Sequence, residues 1–316
     1  MKSEAISTRL AFGQELAELG SRYPNLVVMD ADLSKSTMTD IFASKFPDRF
    51  FDAGIAEQNM VGVAAGLSKT GKIVVAASLA YFIMGRAFDQ VRNLATHSNC
   101  NVKFVGTHAG ISIGKDGSSH QATEDVAIAR AIPGMRVIVP ADGNETRAVL
   151  RKIVKTEGVF YLRLGRAEVE NVTPEGKEFK IGSPSTIYAS RGKLDICIIA
   201  CGMLVHESIK AAKSLENFGL NASVINQSTL KPINKEELMD LIGNARRIIT
   251  VEEHNVIGGL GSAILELFDG AGGFTIKRLG IMDTFAESGE PDELFNKYGI
   301  SARHIEKTAI DMIRSN

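Results

Sequence analysis

Glu57 lies in Gly54-Ile55-Ala56-Glu57-Gln58-Asn59-Met60, between a β-like run at 48–52 and an apolar, helix-like run at 60–67. Open α/β sheets present side chains to a ligand at such strand-to-helix junctions, and a carboxylate there can accept from, or exchange a proton with, what binds. A glutamate at a helix start can also do no more than complement the helix dipole. A second candidate is the segment from His108 to Gln121, which brings His108, His120, Asp116 and three glycines into fourteen residues. A single loop histidine is usually a polar surface group. Two histidines with an aspartate after a strand point to a site, and the glycines let backbone approach a ligand.

These residues need elements to position them. Helical spacing over 8–19 predicts a first helix with Gly20 as its stop, and 26–32 reads as a buried parallel strand. A helix after Glu57, strand 72–78, helix 85–97 and strand 102–107 follow. The pattern continues with helix 124–131, strand 135–139, helix 144–155 and strand 159–164. Such alternation implies a doubly wound, mostly parallel sheet over residues 1–167. The rhythm fades over 168–193, where Pro and Gly clusters predict a linker. It restarts with strand 195–200, helix 206–218, strand 222–226, helix 235–242 and strand 247–251. A smaller α/β domain is therefore expected over 194–316. Gly258-Gly259-Leu260-Gly261 opens one further helix; its spacing misses the dinucleotide fingerprint and favours close helix packing over phosphate binding.

Composition narrows the function classes. The 316 residues suit two domains, and 44% hydrophobic residues supply a large core. A net charge of −1 gives no electrostatic case for nucleic acid or an anionic membrane, so any groups binding an anion must be local. No stretch is long and apolar enough for a membrane span, and Met1-Lys2-Ser3-Glu4-Ala5 has no apolar signal core, which predicts a cytoplasmic protein. Cys100, Cys197 and Cys201 read as buried structural thiols, and zinc spacings are absent.

In order along the chain stand Ser7-Thr8-Arg9, Asp30-Ala31-Asp32 with Ser36-Thr37, Pro47-Asp48-Arg49-Phe50 and the Glu57 motif. Then come Ser78-Leu79-Ala80-Tyr81-Phe82, Arg86-Ala87-Phe88-Asp89-Gln90-Val91-Arg92 and the His108–His120 loop. Val139-Pro140-Ala141-Asp142, Gly165-Arg166 and Val251-Glu252-Glu253-His254 complete the series. With this set the chain resembles the C-terminal half of transketolase, a thiamine-diphosphate enzyme, over essentially its whole length. The resemblance implies a pyrimidine-binding domain followed by a transketolase C-terminal domain. The Gly-Asp-Gly motif that holds diphosphate through a metal is missing: Lys115, Ala141 and Phe268 precede the three Asp-Gly pairs. With Met1 immediately before the pyrimidine domain, the resemblance is to a split transketolase. A separate N-terminal subunit would then hold the diphosphate and Mg2+ (or Ca2+).

The resemblance also assigns roles. Glu57 would hydrogen-bond the aminopyrimidine ring nitrogen, helping the neighbouring exocyclic nitrogen take the proton from thiazolium C2. Phe82 would stack on the pyrimidine; aligned from Arg86 without a one-residue gap, Ile83 takes that place. Asp32 joins the cofactor-binding set. His120 would lie near C2 and serve the developing alkoxide, and Asp116 would accept from a substrate hydroxyl. Arg9, Ser36, His108 and Arg166 match sugar-phosphate positions, where a planar guanidinium suits phosphate oxygens. Strand alternation sets the nearby Arg163 on the face opposite Arg166.

The implied activity moves a two-carbon ketol unit between sugar phosphates, as in the pentose phosphate pathway. It would run in a heterotetramer built on a self-associated dimer of this chain. A 2-oxoacid dehydrogenase β subunit would have no need of the phosphate set. A 1-deoxyxylulose-5-phosphate synthase fragment shares Gly-Ile-Ala-Glu-Gln but fits the loop less well. A non-catalytic scaffold would not need Glu57, His108, Asp116 and His120 together.

Overall fold

The computed structural model describes residues 5–270 and 272–314. Residues 1–4, on which the reading of the N-terminus rests, lie outside the described residues.

Seven strands form the first sheet, in the order Thr229–Lys231, Arg136–Ile138, Phe160–Arg163, Val102–Thr107, Ile73–Leu79, Leu26–Asp30, Phe50–Asp52. All pairs are parallel except the first, which is antiparallel. The central strands Leu26–Asp30 and Val102–Thr107 are buried throughout, which is why they read as continuous apolar runs and not as alternating ones. Phe12, Leu16 and Leu19 of the first helix pack on one face with Val149 and Ile153 of helix Gly143–Lys155. Met60, Val61 and Ala64 of helix Glu57–Ser68 pack on the other face. The edge strand Thr229–Lys231 comes from the second half of the chain, so the two halves share this sheet.

The second sheet runs Thr275–Ile281, Arg247–Asn255, Ile196–Ala200, Ala222–Asn226, Ser185–Ala189 and is parallel except at the last pair. Residues 168–193 are not featureless. They contain Glu168–Glu170, antiparallel to Ala5–Ser7, and the edge strand Ser185–Ala189.

Two local expectations need correction. Gly20 does not stop the first helix, which runs Thr8–Arg22. A Cβ at Gly20 would meet the Phe46 ring at 2.4 Å, so this glycine serves close packing. The single helix expected over 85–97 is two wide π-helical turns, Phe82–Arg86 and Gln90–Thr96, in which Ala87 N–H donates to Phe82 O and His97 N–H to Arg92 O. Wide turns of this kind concentrate at functional sites. The free thiols of Cys100, Cys197 and Cys201 are all buried, and burial pushes the Cys197 thiol up to about 12.

Candidate active site

Glu57 opens helix Glu57–Ser68 at the end of the turn that follows strand Phe50–Asp52, and is 1% exposed. Its Oε2 accepts from Arg86 Nη1 at 2.8 Å. The Arg86 guanidinium lies over the Phe82 ring, 4.3 Å from its centroid, and that ring meets His120 edge-on at 5.4 Å. Ser119 Oγ and His120 Nδ1 are 2.9 Å apart. Arg86, a residue the sequence offered only as a spacing marker, thus joins Glu57 to Phe82, and Phe82 in turn meets His120. Ile83, the alternative to Phe82, is fully buried in the core. The stretches of chain that carry Glu57 and Phe82 also expose apolar side chains: Phe51, Ile55, Val63, Tyr81, Phe88 and Leu94.

A second group converges where the first helix meets the ends of the strands. Arg9 Nη1 donates to Ser36 O at 2.6 Å. Arg166 Nη1 donates to Ile113 O at 2.9 Å and lies 3.5 Å from the Asp116 carboxylate. Burial, and then Arg166, push the Arg9 guanidinium down from its usual pKa. His108 is 5% exposed, and Thr107 Oγ1 lies 2.9 Å from its Nδ1. Burial, and then Arg9 and Arg166, lower its pKa to about 4, so it is neutral at pH 7. Arg9, Ser112, Lys115 and Arg166 border an open cavity of about 340 Å3. Two guanidinium groups bordering one cavity, with a neutral imidazole electrostatically coupled to both, can bind a small anion.

Asp32 lies just before the short helix Ser34–Thr37 that carries Ser36, and no hydrogen bond or ring contact joins Asp32 to Glu57 or Phe82. Asp32 is exposed with φ 61°, and its amide donates to Asp52 Oδ1. That same oxygen accepts from Gly54 N–H, tying the Asp32 turn to the turn before Glu57. Asp30 fixes the turn from beneath. It accepts from Thr37 Oγ1, Thr39 Oγ1 and Leu33 N–H, and burial raises its pKa. Asp30 and Asp52 are supporting residues that the sequence reading passed over.

Arg163 points away from the cavity. It donates to Asp125 Oδ2 at 2.8 Å and to the carbonyls of Ala122 and Glu253, and is 6% exposed. The glycines at 258–261 also serve packing. Glu252 occupies the start of helix Leu260–Leu267, accepting from Leu260 N–H at 2.7 Å and Gly261 N–H at 2.8 Å. A Cβ at Gly259 would lie 1.8 Å from Glu252 Oε2. Among the described residues, no three His, Cys, Asp or Glu side chains are placed to hold a metal ion, and no helix is long and apolar enough to cross a membrane.

Comparison with known proteins meets this geometry along the whole chain. Residues 4–171 match the transketolase pyrimidine binding domain, and residues 186–305 match the transketolase C-terminal domain. A Methanocaldococcus jannaschii protein named as a transketolase C-terminal section is 44% identical over 310 residues, covering 97% of this chain and 96% of that one. Human transketolase is 34% identical over 298 residues, covering 94% of this chain and 47% of the human protein. The chain thus spans about half the length of a whole transketolase. Among solved structures, a split gene transketolase described as an inactive beta4 tetramer superposes with a TM-score of 0.89. It shares 44% identity, with 98% of each chain covered. The chain belongs to the transketolase family and corresponds to its C-terminal section, a pyrimidine-binding domain followed by a transketolase C-terminal domain.

Proposed function

We propose that this chain is the C-terminal subunit of a two-chain transketolase, moving a two-carbon ketol unit from a ketose phosphate to an aldose phosphate. The observation that carries the reading is one of adjacency. The buried Glu57 with Phe82 and His120 forms one group, and Arg9 and Arg166 on an open cavity, with His108 buried beside them, form another, both at the strand ends of one sheet. The cavity supports a phosphorylated sugar over a 2-oxoacid, which carries no phosphate.

The residues fit an aminopyrimidine: Glu57 supplies a sequestered carboxylate and Phe82 a half-buried aromatic face. Thiamine diphosphate, when bound, supplies the carbon nucleophile that no side chain offers. Glu57 would hold a proton at the pyrimidine ring nitrogen, with Arg86 giving way. Phe82 would orient the ring, and Asp32 would border it. His120 would hold or move a proton at the substrate oxygen, and Asp116 would accept from a substrate hydroxyl. Arg9, Ser36, His108 and Arg166 would bind the phosphate. Diphosphate and Mg2+ (or Ca2+) would be held mainly by an N-terminal subunit that carries the Gly-Asp-Gly motif.

The functional units would be 1–167 and 194–316, joined by 168–193, working in the cytoplasm. The assembly would hold two copies of each subunit around a two-fold axis. The exposed apolar residues on the stretches that carry Glu57 and Phe82 support a covering partner. The homologue described as an inactive beta4 tetramer is consistent with self-association that lacks activity. The test is reconstitution. The chain alone should be inactive; adding an N-terminal subunit, magnesium and thiamine diphosphate should produce ketol transfer and a larger particle by light scattering. Robust turnover by the chain alone, or none in the mixture, would overturn the reading.

A further inference from the structure

The loop that carries His108, Asp116 and His120 is not held by its own domain alone. Strand Arg247–Asn255 of the second sheet ends beneath it, and the Glu253 carboxylate accepts the N–H of Ser112, at the start of the 3-10 turn Ile111–Asp116. Glu253 is 5% exposed, and a Cβ at Gly110 would strike its carboxyl carbon at 2.4 Å. Gly110 has φ 77°, so backbone there lies flush against the carboxylate in a conformation that favours glycine. Arg163 fixes Glu253 in turn by donating to its carbonyl at 2.9 Å.

Further contacts from the same domain line the loop. Gln121 Nε2 donates to Glu287 O at 2.9 Å, and a Cβ at Gly117 would meet Ser288 Oγ at 2.6 Å. Lys115 pairs with Glu290 at the surface. Glu253 is the buried member of this set, and it acts on the peptide next to Ile113, whose carbonyl holds Arg166.

We propose that the C-terminal domain sets the geometry of the substrate loop, with Glu253 as the positioning residue that fixes Ser112 and, through Ile113, the pose of Arg166 and Asp116. Glu253 touches neither substrate nor cofactor. The inference rests on the reading of the cavity as a phosphate site, and its test is separable from that reading.

In the full-length chain, Glu253→Ala should accelerate amide hydrogen exchange of residues 112–116 by about tenfold or more, the scale of one lost buried hydrogen bond. Exchange within strand Ile196–Ala200 should stay near wild type. In the two-chain complex, KM for an aldose phosphate such as ribose 5-phosphate should rise about tenfold, with kcat changed less than about threefold. Glu253→Gln keeps an acceptor oxygen and should restore most of the affinity. Wild-type loop exchange in Glu253→Ala, acceleration spread evenly through the second sheet, or failure of Glu253→Gln to rescue would each overturn the proposal. Should Glu253→Ala not fold, Gly110→Ala displaces the loop from the opposite side. Wild-type loop exchange and KM in that variant would sink the idea. If the complex shows no ketol transfer, the functional reading fails while the exchange measurement still decides this one.

Discussion

Glu252 and Glu253 are neighbours on one strand, and strand alternation sends them to opposite faces, where each meets a glycine-containing loop. Glu252 turns into its own domain and fills the start of helix Leu260–Leu267. That helix start resembles an anion site in sequence, but the chain's own carboxylate closes it. Glu253 turns outward and grips the substrate loop from beneath, leaving the other side, with Arg9 and Arg166, facing an open cavity. Glycines after a strand therefore do not themselves mark a site. What matters is whether the local charge is spent inside the fold or left facing solvent.

A still larger effect is expected outside this pair, at Glu57. In the reconstituted complex, Glu57→Gln should slow hydrogen–deuterium exchange at the thiazolium C2 by about 10²–10⁴-fold, the range of lost general acid–base assistance. The chain's melting temperature should not fall with it. Wild-type exchange would remove Glu57 from its assigned role.

Next in size is Glu252→Ala. It leaves two helix-start N–H groups in the core without their acceptor, which should cost about 2–4 kcal/mol of stability by urea unfolding. Exchange of the loop amides 112–116 should not change. A loosened substrate loop in this variant would erase the proposed division of labour between the two glutamates.

Arg166 and Arg163 divide in the same way, one guanidinium open to the cavity and one consumed by the core. Arg166→Ala should raise KM for a phosphorylated aldose by about ten- to a hundredfold, the scale of about 1.5–3 kcal/mol, with little change for an unphosphorylated acceptor. Arg163→Ala should lower stability without that selectivity, because it strands the buried Asp125. A selective KM loss in Arg163→Ala would mean that the cavity has been assigned to the wrong arginine.

Much of the architecture was legible because buried parallel strands announce themselves as apolar runs: Val102–Thr107 and Ala222–Asn226 stand at the residues expected. Glu168–Glu170 and Ser185–Ala189 were not legible, being short, partly exposed strands among Pro and Gly. Strand Thr229–Lys231 was hidden for another reason: its partner is Arg136–Ile138, far back in the other half of the chain. At the site, the residue types could be read from motifs, while their supports could not. Arg86 reaches Glu57 across 29 residues, and Glu253 reaches Ser112 across 141. No periodicity encodes such pairings; only the closed sheets bring them together.

The smallest effect concerns His108, whose charge depends on both groups around it. In the folded chain its pKa is lowered to about 4, below the ordinary 6.5, so folding favours the neutral ring. The unfolded chain therefore binds a proton more readily as pH falls, and His108 costs stability progressively from about pH 6.5 down to about pH 4, then no further. Between pH 7 and 5 this amounts to about 2 kcal/mol, at about 1.4 kcal/mol per pH unit once the unfolded histidine is mostly protonated. Glu252 and Glu253 act in the opposite sense. Burial raises both to about 7, so their contribution is lost as pH rises from about 4.5 through 7. The wild-type profile is thus a partial cancellation, and only a difference isolates His108. His108→Gln removes its titration while leaving the two glutamates in place. Urea midpoints at pH 7 and pH 5, in phosphate-free buffer, should show the variant losing less stability on acidification than wild type. Equal losses would mean that His108 already carries its proton in the fold, adding a buried cation beside Arg9 and Arg166.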